Sequence, residues 1–451
     1  MRLNRRRFLA AAGLTSMAGC TSPSDVSTET STSSGTPTPT PGPSYDVSVA
    51  HDVESWAEYD PDWTHPTDPP DTDVEVETVV EGLKIPWDLS FAANGELFIS
   101  QRPGTILRYD AGTVQSVASP DDIVDASAID TDEEGGWWAA GGEGGLMGIA
   151  AHPNYPDVPL VYAFYTYLED DTKLNKLVHY DVSLEEPQAT TLIDGIPGES
   201  YHNGSRITFG PADYLWVTTG DAGDPTLAQD PSSLAGKVLR MKPDATAPED
   251  NPDLGGDPRV YTYGHRNPQG ITFMPDATPV INEHGPAGRD EVNVLRPGGN
   301  YGWAPEDERA RGAETYPDTD YQRPVVNTGG SSTWAPPGSV FYTGDAVPSW
   351  QNRMIIGGLI SQRLNVVTIY PTDGESASAE GGQRFDADWM DSEYSAVHHT
   401  ALEDELGRIR HVEQGPEGTL YAVTSNRDGR AQGDQFPAAN DDRLVRIVPS
   451  E

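Results

Sequence analysis

From about residue 73 onward the chain alternates short apolar runs with Gly, Pro, Asp and Asn turns, which predicts strands rather than helices. Residues 85–91, a turn at Asn94-Gly95, then 96–100 and 106–110 make one strand–turn–strand–strand unit. Residues 145–153, 160–164 and 176–181 repeat it, and so do 205–211, 215–219 and 237–241. Further units begin near Pro268, Pro337 and Arg410, at a spacing of about 60–75 residues. A repeated sheet unit buries its faces only against its neighbours, so the recurrence predicts an all-β, six-bladed β-propeller over residues 73–449. A sandwich would need far fewer strands, and a parallel βαβ fold would need amphipathic helices that the intervening segments lack. The last strand, residues 444–448, is expected to close the ring against the first blade.

Composition supports this picture. The 451 residues include 46 Gly and 39 Pro, a mixture suited to tight turns between short strands. The formal net charge is −42, from 71 acidic and 29 basic residues. Such a surface repels nucleic acid and anionic membrane, which argues against nucleic acid as a partner and against membrane contact except through a lipid anchor. The acids are spread among apolar strands rather than gathered in a tail, so they read as the solvation shell of a folded domain adapted to concentrated salt, of haloarchaeal type.

The N-terminus has a different logic. Arg5-Arg6-Arg7-Phe8-Leu9 followed by a small-residue apolar run resembles a twin-arginine export signal, and Met17-Ala18-Gly19-Cys20 resembles a lipobox. Residues 1–20 are therefore expected to direct export, with Cys20 lipidated as the membrane anchor. Cys20 is the one cysteine, so no intramolecular disulfide can form. Residues 21–44, rich in Ser, Thr and Pro, read as a disordered stalk, and 45–72 as an N-terminal extension.

Loops that no strand requires carry the candidate chemistry. They are residues 142–148, 201–206, 220–224, 264–270, 283–293, 300–303, 332–336 and 407–410. In this order they resemble the glucose/sorbosone dehydrogenase family of quinoprotein propellers, over roughly residues 73–449. The resemblance implies oxidation of aldose sugars at C1 to lactones, with pyrroloquinoline quinone and calcium as cofactors and an external electron acceptor.

Carried over residue by residue, the resemblance makes His202 the general base and Asp221 its orienting carboxylate, with Glu143 beside them. Arg266 would lie at the quinone, Asn267 and Thr333 would bond the cofactor, and Arg408 and Arg410 would hold its carboxylates. An arginine fork matches a carboxylate with two parallel hydrogen bonds, which is the chemistry three cofactor carboxylates require. The backbone carbonyls of Gly285 and Pro286 would hold the catalytic calcium, and Glu291 with the Tyr301 carbonyl a structural one, supported by Asp290.

Three positions depart from the family pattern. Glu143 and His284 stand where Gln is expected, and Ser361 where a cofactor-binding lysine is expected, with Arg363 two residues on as its replacement. Two other functions suit a propeller of this kind. One is a tethered module that binds carbohydrate or protein, like hedgehog-interacting relatives; the other is a calcium-dependent lactonase.

Overall fold

A computed structural model describes residues 45–124, 142–303, 320–431 and 433–450. The export signal, Cys20 and the Ser/Thr/Pro stalk lie outside the described residues. Asp46–Glu451 forms one compact unit.

The unit is a six-bladed β-propeller. Blade 1 runs Pro86–Phe91, Leu97–Gln101, Thr105–Asp110 and Thr113–Ala118. Blade 2 runs Leu146–Ala151, Leu160–Glu169, Thr172–Asp181 and Ala189–Pro197. Blade 3 runs Ile207–Phe209, Leu215–Thr219, Lys237–Met241 and Val260–Tyr263. Blade 4 runs Pro268–Phe273, Pro279–Glu283, Glu291–Val294 and Val326–Asn327. Blade 5 has a fifth strand, Gln383–Phe385, beyond Ser339–Tyr342, Arg353–Ile356, Leu364–Pro371 and Tyr394–Ala401. Blade 6 starts with Ile409–Gln414, Leu420–Thr424 and Leu444–Pro449.

Closure differs from the expectation. Leu444–Pro449 does not add to blade 1; it is the third strand of blade 6 and pairs antiparallel with Val74–Val80. The chain thus begins its propeller in the last blade, and backbone hydrogen bonds between the two ends of the domain lock the ring. The short Val74–Val80 segment precedes the first recurring unit, so its partner could not be read from the repeat.

Apolar side chains fill the gaps between neighbouring sheets. Leu97 and Ile99 of blade 1 pack with Val423 and Leu444 of blade 6. Phe98 and Ile106 pack on the other side with Val161 and Val178 of blade 2. Where blades 2 and 3 meet, the Tyr162 and Phe209 rings sit edge-on at 5.1 Å. Every blade is therefore a layer between two others, as the repeat required.

The first strands line the axis, and polar residues stitch them together. The buried Asp88 carboxylate pairs with Arg206 and accepts Ile149 N from blade 2 at 3.0 Å. Arg206 lies 4.1 Å over the Trp87 ring and donates Nε to the Gln269 carbonyl at 3.0 Å. Burial holds the Asp88 carboxyl up at about 6 even against the adjacent arginine.

The extension 45–73 crosses the end of the ring that carries the first-to-second-strand turns. His51 stacks on Tyr214 of blade 3 at 4.2 Å, and Trp56 meets Phe273 of blade 4 edge-on at 6.2 Å. Trp63 meets Phe341 of blade 5 at 5.4 Å. The site lies at the opposite end.

Candidate functional site

Antiparallel blades place their entry loops and their second-to-third-strand turns at one end of the ring. The loops singled out from the sequence fall at that end. The geometry starts from a glycine-permitted crossing. Gly204 has φ +62°, and a Cβ on it would lie 2.7 Å from the Thr219 Cα; a Cβ on Gly220 would lie 2.0 Å from the His202 carbonyl oxygen. Only bare backbone allows these loops to touch. The contact brings His202, itself at φ +59°, against Asp221.

His202 Nδ1 and Asp221 Oδ1 are 2.7 Å apart. Asp221 also accepts Gly223 N at 2.8 Å and Trp303 Nε1 at 2.6 Å. A carboxylate receiving two N–H donors acts as acceptor towards the imidazole as well, so Nδ1 carries a hydrogen, and in the neutral ring Nε2 is the nitrogen with the lone pair. The Arg266 carbonyl accepts Asp221 N at 2.8 Å, and Asn267 Oδ1 accepts Gly204 N at 3.0 Å. The segment 266–267 thus positions both members of the pair.

Two cavities flank this centre. One, about 540 Å³, is lined by Tyr201, His202, Asp221, Arg266, Arg289 and Trp303 among others. Its neighbour, about 440 Å³, lies nearer the axis and is lined by Trp87, Arg102, Glu143, Gln269, His284, Arg408, Arg410, Asp428 and Arg430 among others. Glu143 joins them: its carboxylate lines the axial cavity and accepts His202 N at 3.3 Å. Arg266 joins them again, donating Nη1 to the His284 carbonyl at 3.1 Å. Arg266 therefore lines the outer cavity with His202, while Arg408 and Arg410 line the axial one.

Strand irregularities aim side chains into the axial cavity. The first strands of blades 1, 4 and 6 each shift register by one residue, at Trp87, Gln269 and Arg410. All three line the cavity. A bulge turns a side chain that regular alternation would bury between sheets. Arg410 therefore belongs to a strand, not to the loop the sequence suggested, and only Arg408 sits on the entry loop.

The axial cavity is rich in positive charge. Arg408 makes two bonds to Asp428 Oδ2, at 2.7 and 3.0 Å, and Arg410 Nη2 lies 3.6 Å from the same oxygen. Arg430 pairs with Glu143 at 3.3 Å, and Arg102 donates Nη2 to the Gly144 carbonyl at 2.8 Å. Four guanidinium groups thus face two carboxylates. Burial pulls Arg410 down to about 9, and burial with the nearby Arg410 charge lowers Arg102 as well. Glu143 would be raised by burial, but the Arg430 guanidinium, helped by Arg102, outweighs that and holds its carboxyl below the ordinary value. Burial lowers His284 to about 4, leaving a neutral imidazole.

These features suit an anionic, multiply hydrogen-bonding ligand. Among the described residues Arg410 Nε and His284 Nε2 are buried with no hydrogen-bond partner, a state a folded protein rarely tolerates unless something else supplies the acceptor or donor. A flat, polycarboxylated quinone would answer both the charge excess and the orphaned nitrogens.

Other expected residues fall as follows. Thr333 gives its hydroxyl to Asp290 at 2.8 Å, and the same carboxylate accepts Trp334 N, Ala335 N and Gly285 N. Asp290 thereby fastens the Gly285-Pro286 turn to the blade 5 entry loop. Among the described residues neither the Gly285 nor the Pro286 carbonyl accepts a backbone hydrogen bond, which leaves both able to serve a hard cation. Glu291 is buried and accepts Asn293 Nδ2 at 3.3 Å and Asn327 Nδ2 at 3.1 Å, while the Tyr301 ring stacks on His265 at 4.7 Å. Arg363 pairs with Glu403 at 3.0 Å and is not among the residues that line either cavity. Arg102 and Arg430 do line the axial cavity, and the sequence reading missed both. Arg102 sits between ordinary strands, and Arg430 in a polar turn like many others.

The glucose/sorbosone dehydrogenase family model matches residues 83–433. An aldose sugar dehydrogenase of Escherichia coli is 28% identical over 383 residues, covering 79% of this chain and 91% of that protein. Quinoprotein glucose dehydrogenase B of Acinetobacter calcoaceticus is 30% identical over 261 residues, 50% of this chain and 52% of that one. The PQQ-bound aldose sugar dehydrogenase structure from Streptomyces coelicolor superposes with a TM-score of 0.65 at 32% identity, covering 84% of this chain and 99% of that one.

Proposed function

The chain belongs to the glucose/sorbosone dehydrogenase family, and from that premise we propose that it oxidises aldoses at C1 to lactones, using pyrroloquinoline quinone and calcium and passing electrons to an external acceptor. The observation that carries this reading is the His202–Asp221–Trp303 chain beside an arginine-lined cavity with orphaned nitrogens.

In this reading the sugar occupies the outer cavity with its C1 hydroxyl at His202 Nε2. The lone pair there takes the hydroxyl proton, and Asp221 stabilises the imidazolium through Nδ1–H. Trp303 keeps the second Asp221 oxygen occupied, so the carboxylate cannot swing away. Arg102, Arg408, Arg410 and Arg430 would bind the cofactor's carboxylates, with Arg266 at its edge towards the sugar. Calcium would be held by the Gly285 and Pro286 carbonyls, and a structural ion by Glu291 and the Tyr301 carbonyl. Bound quinone supplies the hydride acceptor, and calcium polarises it. A lactonase would instead want side-chain carboxylates free around the axis, whereas Asp88 is paired with Arg206 and Glu413 lies 3.1 Å from His411.

Export and lipidation at Cys20 complete the proposal, tethering the enzyme outside the cell where an external acceptor is at hand. Reconstitution with quinone and Ca²⁺ in molar KCl, followed by dye reduction with a panel of aldoses, tests the activity. A tethered binding propeller becomes the better account if no aldose reduces the dye while quinone fails to bind.

A further inference from the structure

Arg289 faces the outer cavity, which it lines together with His202 and Trp303. Its guanidinium is half-buried and makes no hydrogen bond or ion pair among the described residues. In a chain with 71 acidic and 29 basic residues, a cation left without a carboxylate beside the base is out of keeping with its surroundings. The acid lining that cavity, Asp221, is already bound to His202, Gly223 and Trp303.

The arginine is also held in place. Its backbone adopts φ +57°, a conformation that a bulky residue takes up at a cost. Arg289 N donates to the Gly329 carbonyl at 2.9 Å. The guanidinium lies flat on Gly330: a Cβ there would sit 2.9 Å from Nη2 and 3.0 Å from Cζ. The absent side chain at 330 makes the shelf on which the fork rests. A strained backbone and a bare neighbour together fix an unpaired cation towards the substrate space.

We infer that Arg289 reads an anionic group on the sugar, so that the preferred substrate is an aldose carrying a carboxylate or phosphate away from C1. This rests on the proposed aldose oxidation. It adds a specificity residue to it: C1 must face His202, while Arg289 stands on a different loop and blade. An arginine fork engages either anion through paired N–H bonds.

The test compares D-glucose, D-glucuronate and D-glucose 6-phosphate by kcat/KM in the reconstituted enzyme. Binding to the apoprotein is measured in parallel by isothermal titration calorimetry. The wild type is expected to favour at least one anionic sugar over glucose by about tenfold or more, the worth of a charge-assisted hydrogen bond. Which anion wins identifies the source. Arg289→Gln is expected to bring the ratio near one, and Arg289→Lys to keep part of it. Gly330→Ala, which pushes the guanidinium off its shelf, is expected to lower the ratio as well. A wild-type ratio near one, or a ratio unchanged in Arg289→Gln, overturns the assignment while leaving aldose oxidation standing. If no sugar is oxidised, the enzyme reading fails, and the apoprotein titration alone decides whether Arg289 binds the anion.

Discussion

His202 Nδ1 lies 2.7 Å from Asp221 Oδ1, and Asp221 turns its other oxygen to the indole N–H of Trp303 at 2.6 Å. An amide in place of that carboxylate no longer favours a hydrogen on Nδ1, and it gives the imidazolium no charge to rest against. Asp221→Asn is therefore expected to lower kcat by about 10²–10⁴-fold with little change in quinone binding. Trp303→Phe leaves a buried carboxylate oxygen without its donor, which costs about 1–3 kcal/mol. Steady-state kinetics beside denaturant unfolding separate the two; equal losses of stability in both variants would contradict the division of roles.

Glu143 and Arg430 form a second relationship with a directional consequence. Glu143 places a negative charge in a cavity otherwise rich in arginine, and Arg430 offsets it at 3.3 Å. Glu143→Gln is expected to tighten quinone binding, and Arg430→Ala to weaken it. For this partly exposed pair a double-mutant cycle is expected to show a coupling of about 1 kcal/mol. Titration of the apoprotein with quinone measures it. Weaker binding in Glu143→Gln would mean that the carboxylate itself serves the ligand.

Acid should reach Asp428 late. Burial alone would raise its carboxyl, but Arg408 and Arg410 outweigh burial and hold it below the ordinary value. A depressed carboxyl adds stability above the unfolded value of about 4, and that stability is lost as pH falls through the folded value. The gap in melting temperature between wild type and Asp428→Asn should be full at pH 6 to 7 and narrow below about pH 4. A gap that widens in acid would contradict the pairing.

The net charge of −42 predicts a dependence on salt. Self-repulsion is screened over about 3 Å at 1 M salt and about 30 Å at 0.01 M. Melting temperature should fall steadily as KCl is lowered from molar to millimolar. No change across that range would remove the concentrated-salt reading.

Much of this architecture was legible because the repeat is local. Each unit carries its own apolar strands and turn residues, so six blades and the loops between them follow from spacing. The pairing of His202 with Asp221 was legible only through the family resemblance; the crossing that Gly204 and Gly220 permit shows only in the folded chain. Closure by Val74–Val80 was not, since a single strand outside the repeat names no partner. Nor were the bulges at Trp87, Gln269 and Arg410, because an extra residue shows only once the opposite strand is known. Arg102 and Arg430 were missed for a related reason: their meaning comes from the cavity they share, not from any spacing along the chain.

The central claim is that this propeller uses bound quinone to oxidise aldoses with His202 as base. Its most direct test is a single-turnover spectrum. Purified protein in molar KCl is loaded with pyrroloquinoline quinone and Ca²⁺, mixed with excess aldose without an acceptor, and compared with His202→Gln. The account predicts quinone binding by both proteins, rapid bleaching of the oxidised quinone band in the wild type, and bleaching slower by about 10²–10⁴-fold in His202→Gln. Quinone that binds but is never reduced by any aldose, neutral or anionic, or equal rates in the two proteins, would contradict it.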